Sequence, residues 1–214
     1  MVGKIGKLQK FAEVSAFGNC FESAKELKGQ WKSTVFKNNN PITLELACGK
    51  GEYTVGLAER FPERNFIGVD IKGNRIWKGA KYALEHQLNN VAFHRIMIGN
   101  IEDFFAPGEI DEFWITFPDP QHAKERKRLT NPMFLDRYRT IASTDAIMNL
   151  KSDSTRFYDY TKSVIYEQNL EVIADSDDIY QWAEIPEYLA NIQTFYEKIW
   201  LKEGKKIKYL RYKI

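Results

Sequence analysis

The stretch from Ile42 to Asp70 constrains the fold more than any other. Ile42–Leu46 (ITLEL) is a mostly apolar run of strand length, and Cys48-Gly49-Lys50-Gly51 breaks it. Glu52–Phe61 then carries Tyr53, Leu57, Ala58 and Phe61 at helical spacing, and Pro62 stops it. Phe66–Asp70 (FIGVD) is a second apolar run, and it ends in an acid. Strand, glycine turn, helix and acid-ended strand is the order of a nucleotide-cofactor site on a parallel sheet. The glycines let the backbone turn tightly against a ligand, and the terminal carboxylate can accept from ribose hydroxyls.

The alternation continues along the chain. Arg75–Gln87 is predicted as a helix with Ile76, Ala80, Ala83 and Leu84 inward, and Val91–Ile98 as a strand. A helix or loop passes through Phe104-Phe105 to Pro107-Gly108, and Glu112–Thr116 forms the next strand. Pro132 opens a helix lined by Phe134, Leu135, Tyr138, Ile141 and Ala142. Ala146–Lys151, Leu170–Ala174 and Ile207–Ile214 are read as strands, and Thr155–Glu167 and Tyr188–Leu201 as helices. Strands alternating with helices predict an α/β fold with a doubly wound, mostly parallel sheet. Residues 41–214 form the predicted domain, and the loop signal Lys37-Asn38-Asn39-Asn40-Pro41 marks its start. Residues 1–40 carry Phe11, Phe17, Phe21, Trp31 and Phe36 without a clear period, and are expected to pack as an extension on the outside.

Composition narrows the class. A 214-residue chain with 43% hydrophobic and 28% charged residues has a sizeable core and no run approaching the ~20 apolar residues of a membrane span. Lys4, Lys7 and Lys10 are followed by no signal-peptide core. Cys20 and Cys48 are the only cysteines, and His86, His94 and His122 are scattered, so neither a disulfide framework nor a metal site is expected. The expectation is a cytoplasmic protein without a structural metal.

The cofactor turn departs from a dinucleotide fingerprint. Thr54 stands where a third glycine belongs, and Gly56 is out of register. Glu45 is an acid inside an otherwise apolar strand, costly unless paired and repulsive to a pyrophosphate. It suits the sulfonium and ammonium groups of S-adenosylmethionine; the alternative is a carboxylate bonded to loop amides or a basic residue. Asn100 is placed either to bond an adenine or to make a turn. Cys48 reads as a packing residue.

The stretch Phe113–Pro132 (FWITFPDPQHAKERKRLTNP) holds Asp119 between two prolines, then Lys124, Arg126, Lys127 and Arg128, broken only by Glu125. A stiffened acid beside a phosphate-attracting cluster points to chemistry on nucleic acid; the alternative is a rigid loop and a solvated helix start. Lys202, Lys205, Lys206, Lys208, Arg211 and Lys213 crowd the C-terminal region.

Taken together, LELACGKGEYT, FIGVD, FPDP with its basic run, RLTNPMFLD, LKSD and TFYEKIWLKEGKKIKYLRYKI closely resemble the tRNA (guanine-N7)-methyltransferase family. KLQKFAE and GQW near the start fit as well. The resemblance implies a Rossmann-like class I methyltransferase: a seven-stranded sheet, last strand antiparallel, helices on both faces. It implies S-adenosylmethionine as cofactor, tRNA as partner, and a guanine of the variable loop (position 46 of the tRNA) as acceptor. On matching positions, Glu45, Gly49, Gly51, Asp70, Asn100 and Asp119 would contact the cofactor, with Asp119 at the transfer centre. Asp153, Thr194, Phe195, Tyr196 and Glu197 would form the guanine side, and Lys124, Arg126, Lys127 and Arg128 would hold the RNA backbone. Residues 1–40 would pack on the domain, on RNA, or on both. Asn100 stands where relatives carry an acid, and Ala123 where they carry a substrate-facing lysine. No obligatory protein partner is expected; a monomer and a homodimer both fit. Rival readings are a related enzyme acting on another RNA base or amine, a nicotinamide-dependent oxidoreductase, and a non-catalytic RNA-binding module.

Overall fold

The computed structural model describes residues 6–214; the first five residues of the expected extension, with Lys4, lie outside them. In chain order the elements are α1 (Lys7–Ala16), β1 (Cys20–Glu22), β2 (Ile42–Leu46), α2 (Glu52–Arg60), β3 (Asn65–Asp70), α3 (Gly73–Glu85) and β4 (Val91–Arg95). They continue with β5 (Ile110–Thr116), α4 (Pro132–Ile141), β6 (Ala142–Ser152), α5 (Thr155–Glu167), β7 (Val172–Ser176), α6 (Glu187–Asn191), α7 (Phe195–Lys202) and β8 (Lys208–Lys213). The strands make one sheet in the order β1-β4-β3-β2-β5-β6-β8-β7. Pairing is parallel except at β8, which runs antiparallel to both β6 and β7.

The burial pattern explains this arrangement. Every residue of β2 and β3 is buried, as expected of central strands covered on both faces. Ile42, Leu44, Leu46, Ile67 and Val69 face a core closed by Leu135, Tyr138 and Ile141 of α4 and Phe157, Val164 and Ile165 of α5. Phe66, Phe93 and Trp114 face a second core under Tyr53, Leu57 and Ala58 of α2 and Ile76, Ala80 and Ala83 of α3. From β2 the chain winds outward through β3 and β4, then crosses to β5 on the other side. The sheet therefore switches direction between β2 and β5, and ligand crevices form at the carboxyl ends of strands at such a point.

The structure adds to the sequence expectation in three places. The sheet has eight strands rather than seven, because Cys20–Glu22 pairs in parallel with Phe93–Arg95. The preceding segment forms a helix, α1, that buries Val14 and packs along α3. Third, the single helix expected over Tyr188–Leu201 is two, α6 and α7, broken at residues 192–194.

The segment between β1 and β2 also enters the core. Trp31 is fully buried, stacks on Phe105 with centroids 5.5 Å apart, and donates from Nε1 to the Phe104 carbonyl at 3.1 Å. Glu109 accepts from the amides of Gly29 (3.0 Å), Trp31 (3.3 Å) and Ala106 (2.8 Å), closing the turn that presents the indole. His94 Nε2 accepts from the Ala24 amide at 3.3 Å, and burial pushes that imidazole down to about 4, so it stays a neutral acceptor. Trp31→Ala is expected to cost about 3–5 kcal/mol in urea-unfolding stability. A loss under ~1 kcal/mol would show that this segment only lies on the surface.

Candidate active site

The carboxyl edge of β2 turns on left-handed backbone. Gly49 (φ 57°) and Gly51 (φ 66°) adopt it, and a Cβ at Gly51 would enter the Phe93 ring. Asp70 at the end of β3 stabilises the turn: one carboxylate oxygen accepts from the Gly49 amide at 3.0 Å, the other from the Lys72 amide at 2.8 Å. Asn100 is exposed in a helical turn after β4, with non-helical dihedrals of −117° and 22°. Ile71 (51% exposed) and Met97 (58% exposed) leave apolar surface beside these groups.

Glu45 is buried. Its carboxylate accepts from the Thr54 amide at 2.8 Å, from the Thr54 hydroxyl, and from the Thr116 hydroxyl at 2.6 Å. Its partners are an α2 amide and two threonine hydroxyls, neither the loop amides nor the basic residue of the alternative sequence reading. Burial pushes the carboxyl up to about 7, the threonine bonds oppose that, and the Asp70 charge adds to it.

After Thr116, the chain bends through Phe117 (φ 46°) and Gln121 (φ 47°), left-handed positions rarely taken by such residues. They bracket Pro118-Asp119-Pro120. Asp119 is exposed, and its carboxylate accepts from the Gln121 amide at 3.0 Å. Lys124, Arg126 and Lys127 are exposed, as is Ala123. Arg128 corrects the expectation of a four-residue phosphate cluster. It is 1% exposed, donates to the Pro120 carbonyl at 3.3 Å, pairs with Glu125 at 3.1 Å and lies 4.3 Å from the Tyr160 ring centroid. Its charge braces the loop from inside and does not face solvent.

On the remaining side, Asp153 follows β6 and is half-buried, with Lys205 at 3.7 Å. Phe195 and Tyr196 are about half exposed, with ring centroids 5.7 Å apart. Thr194 caps α7, its hydroxyl accepting from the Glu197 amide at 3.1 Å. Glu52, in the first turn of α2, accepts from the Phe195 amide at 2.8 Å, which joins α7 to the glycine turn. A groove of about 720 Å³ opens beside this junction, lined in part by Lys50, Lys78, Gln193 and Lys198. Glu197 is placed differently from a solvent-facing base contact: it is fully buried and paired with Lys151 at 2.8 Å.

The sheet thus gathers the glycine turn, Asp70, Asn100, Asp119 and Asp153 on one edge. A family model described as a putative methyltransferase matches residues 39–210. A tRNA (guanine-N(7)-)-methyltransferase of Christiangramia forsetii is 47% identical, covering 100% of both chains. The chain belongs to the tRNA (guanine-N7)-methyltransferase family. A family member from Bacteroides fragilis is 45% identical over 96% of this chain and 84% of its own. Among solved structures, the 16S rRNA methyltransferase KamB aligns with a TM-score of 0.63 at 11% identity, over 100% of this chain and 96% of that one. A SAM-dependent methyltransferase from Aquifex aeolicus gives 0.57 at 13%, over 99% and 100%. These last two show the fold: a class I methyltransferase.

Thr116 and Lys151 were not singled out from sequence, and Thr54 only as the residue in the third-glycine place, not as a partner of Glu45. Lys151 had a signal, since a lysine closing the run AIMNLK breaks a buried strand as Glu45 does.

The Glu45 environment has a measurable consequence. Unfolded, the acid titrates near 4.5; folded, near 7, so between those values the unfolded chain has released a proton that the folded chain retains. Stability therefore falls as pH rises through that window, by on the order of 3 kcal/mol at most. Glu45→Gln removes this contribution. Urea unfolding at pH ~5 and ~8 should show the wild type losing stability relative to the variant as pH rises. Parallel pH profiles would mean that Glu45 is ionised throughout.

Proposed function

We propose that this enzyme methylates N7 of a guanine in tRNA, in the variable loop, using S-adenosylmethionine. Near-full-length identity of 47% to a tRNA (guanine-N(7)-)-methyltransferase carries the reading. The edge described above supports it. Gly49, Gly51, Asp70, Asn100 and Asp119 would hold the cofactor, where tight backbone, a carboxylate for ribose and the apolar surface of Ile71 and Met97 fit an adenosyl group. S-adenosylmethionine supplies an electrophilic methyl on a sulfonium. Glu45 acts from behind, fixing Thr54 and Thr116 and so the turn and the start of the Asp119 loop.

Guanine N7 carries an exposed lone pair, so no general base is required. The protein's contribution is placement, which can lower a barrier by roughly 7–11 kcal/mol. As the purine gains positive charge, exposed Asp119 stabilises it. Asp153 accepts from guanine N1–H or the exocyclic amine; adenine N1 bears no proton there and is repelled. Phe195 and Tyr196 offer flat surface to a base splayed out of the RNA, because the deep RNA major groove is closed to side chains. Lys124, Arg126 and Lys127 hold phosphates near it, and the cytoplasm, where tRNA is modified, is the expected place of action.

Incubation with labelled S-adenosylmethionine and total tRNA should label guanine N7 alone; label on adenine or on an exocyclic amine would refute the assignment. Asp153→Asn is expected to lower kcat/KM by about 10- to 100-fold, equivalent to about 1–3 kcal/mol of base discrimination. Near-normal turnover would remove Asp153 from the guanine site. Lys124→Ala and Arg126→Ala should each reduce the slope of log K against log salt by about 0.7, whereas Arg128→Ala should leave the slope unchanged and lower thermal stability. A reduced slope in Arg128→Ala would return that residue to the RNA surface.

A further inference from the structure

Lys151 is the penultimate residue of β6, and its side chain is fully buried. Its ammonium donates to three acceptors: Glu197 Oε1 at 2.8 Å, the Leu189 carbonyl at 2.6 Å and the Ile192 carbonyl at 3.2 Å. Every donor is thus used, and every acceptor lies in the segment 189–197, where the expected helix breaks. Tyr180 joins the network by donating to the same Oε1 at 2.9 Å while accepting from Gln193 Nε2 at 2.9 Å; among the described residues, Glu197 Oε2 has no partner. Across the segment, Gly56 leaves room for Ile192, whose Cγ2 would stand 2.7 Å from a Cβ there. The outer side carries Phe195 and Tyr196, with the Lys50 ammonium 4.0 Å from the Phe195 ring centroid.

A buried ion pair contributes little net stability, because desolvation offsets attraction. What Lys151 supplies that a hydrophobe cannot is geometric: partners for carbonyls that a regular helix would have satisfied. We propose that Lys151 is a positioning residue for methyl transfer. With Glu197 as its counter-charge it sets the path of residues 189–197, and so the placement of Phe195 and Tyr196 beside the glycine turn. Glu197 then serves the guanine side through Lys151, and Asp153 makes the direct contact. This rests on the proposal that guanine enters at this edge.

The test compares Lys151→Met, Glu197→Gln and the double variant with the wild type, reading kcat and KM for tRNA methylation, cofactor affinity, and hydrogen exchange over residues 189–197. Lys151→Met is expected to keep cofactor affinity within about twofold and lower kcat/KM for tRNA by about 10- to 100-fold, as a misplaced binding element does. Exchange should quicken in 189–197 and stay unchanged in 42–70. The double variant leaves no lone buried charge, so it reports even where Lys151→Met folds poorly, and it should be no worse than the more impaired single variant. A Lys151→Met enzyme within about twofold of wild type overturns the proposal. So does a double loss equal to the product of the single losses, which would make Glu197 an independent guanine contact. A wild type that methylates no guanine would instead sink the reading of the edge, and this inference with it.

Discussion

Glu45 is the interaction on which the site depends. From the middle of the sheet, one buried carboxylate bonds Thr54 at the start of α2 and Thr116 at the end of β5. Those elements flank the point where the sheet changes direction, and each adjoins a segment of the site: α2 follows the glycine turn, and β5 leads into the Asp119 loop. An apolar residue at position 45 would pack equally well, but it would leave the Thr54 amide and two hydroxyls without an acceptor in a dry interior. The protein tolerates a buried acid there because its lone pairs are used.

Lys151 repeats this logic with opposite charge. Glu45 bonds the elements beside the glycine turn from below, and Lys151 bonds the segment that carries Phe195 and Tyr196. The two are linked through α2, whose Glu52 accepts from the Phe195 amide and whose Tyr53 ring centroid lies 5.2 Å from the Lys151 ammonium. Position in such an enzyme matters more than acid–base chemistry, since N7 needs no deprotonation. Buried charges that fix backbone are a fitting way to secure it, because hydrogen bonds to charged groups are directional and strong.

The loop around Asp119 shows the same division of labour in a basic run. Lys124, Arg126 and Lys127 lie at the surface, where water solvates their charges. Arg128 turns inward to the Pro120 carbonyl, Glu125 and Tyr160, holding the Pro118-Asp119-Pro120 bend between two left-handed residues. Four cations close in sequence thus stand in two environments, three in water and one inside.

Periodicity made most of the fold legible. Five-residue apolar runs, helical stripes and the prolines and glycines between them located β2 to β8 within a few residues, because those signals are local. The glycine turn, Asp70 and the Asp119 bend were legible for the same reason. β1 was missed: three residues at an edge carry no period, and only pairing with β4 makes them a strand. The break between α6 and α7 was missed because the group that bonds its carbonyls, the Lys151 ammonium, lies 38 residues from Leu189. Sequence alone determined the order of elements and the residue types at the carboxyl edge. Tertiary structure alone decided which charges face water and which face one another. Burial depends on what packs from elsewhere in the chain, and so Glu197 and Arg128, which read as surface groups, became internal ones.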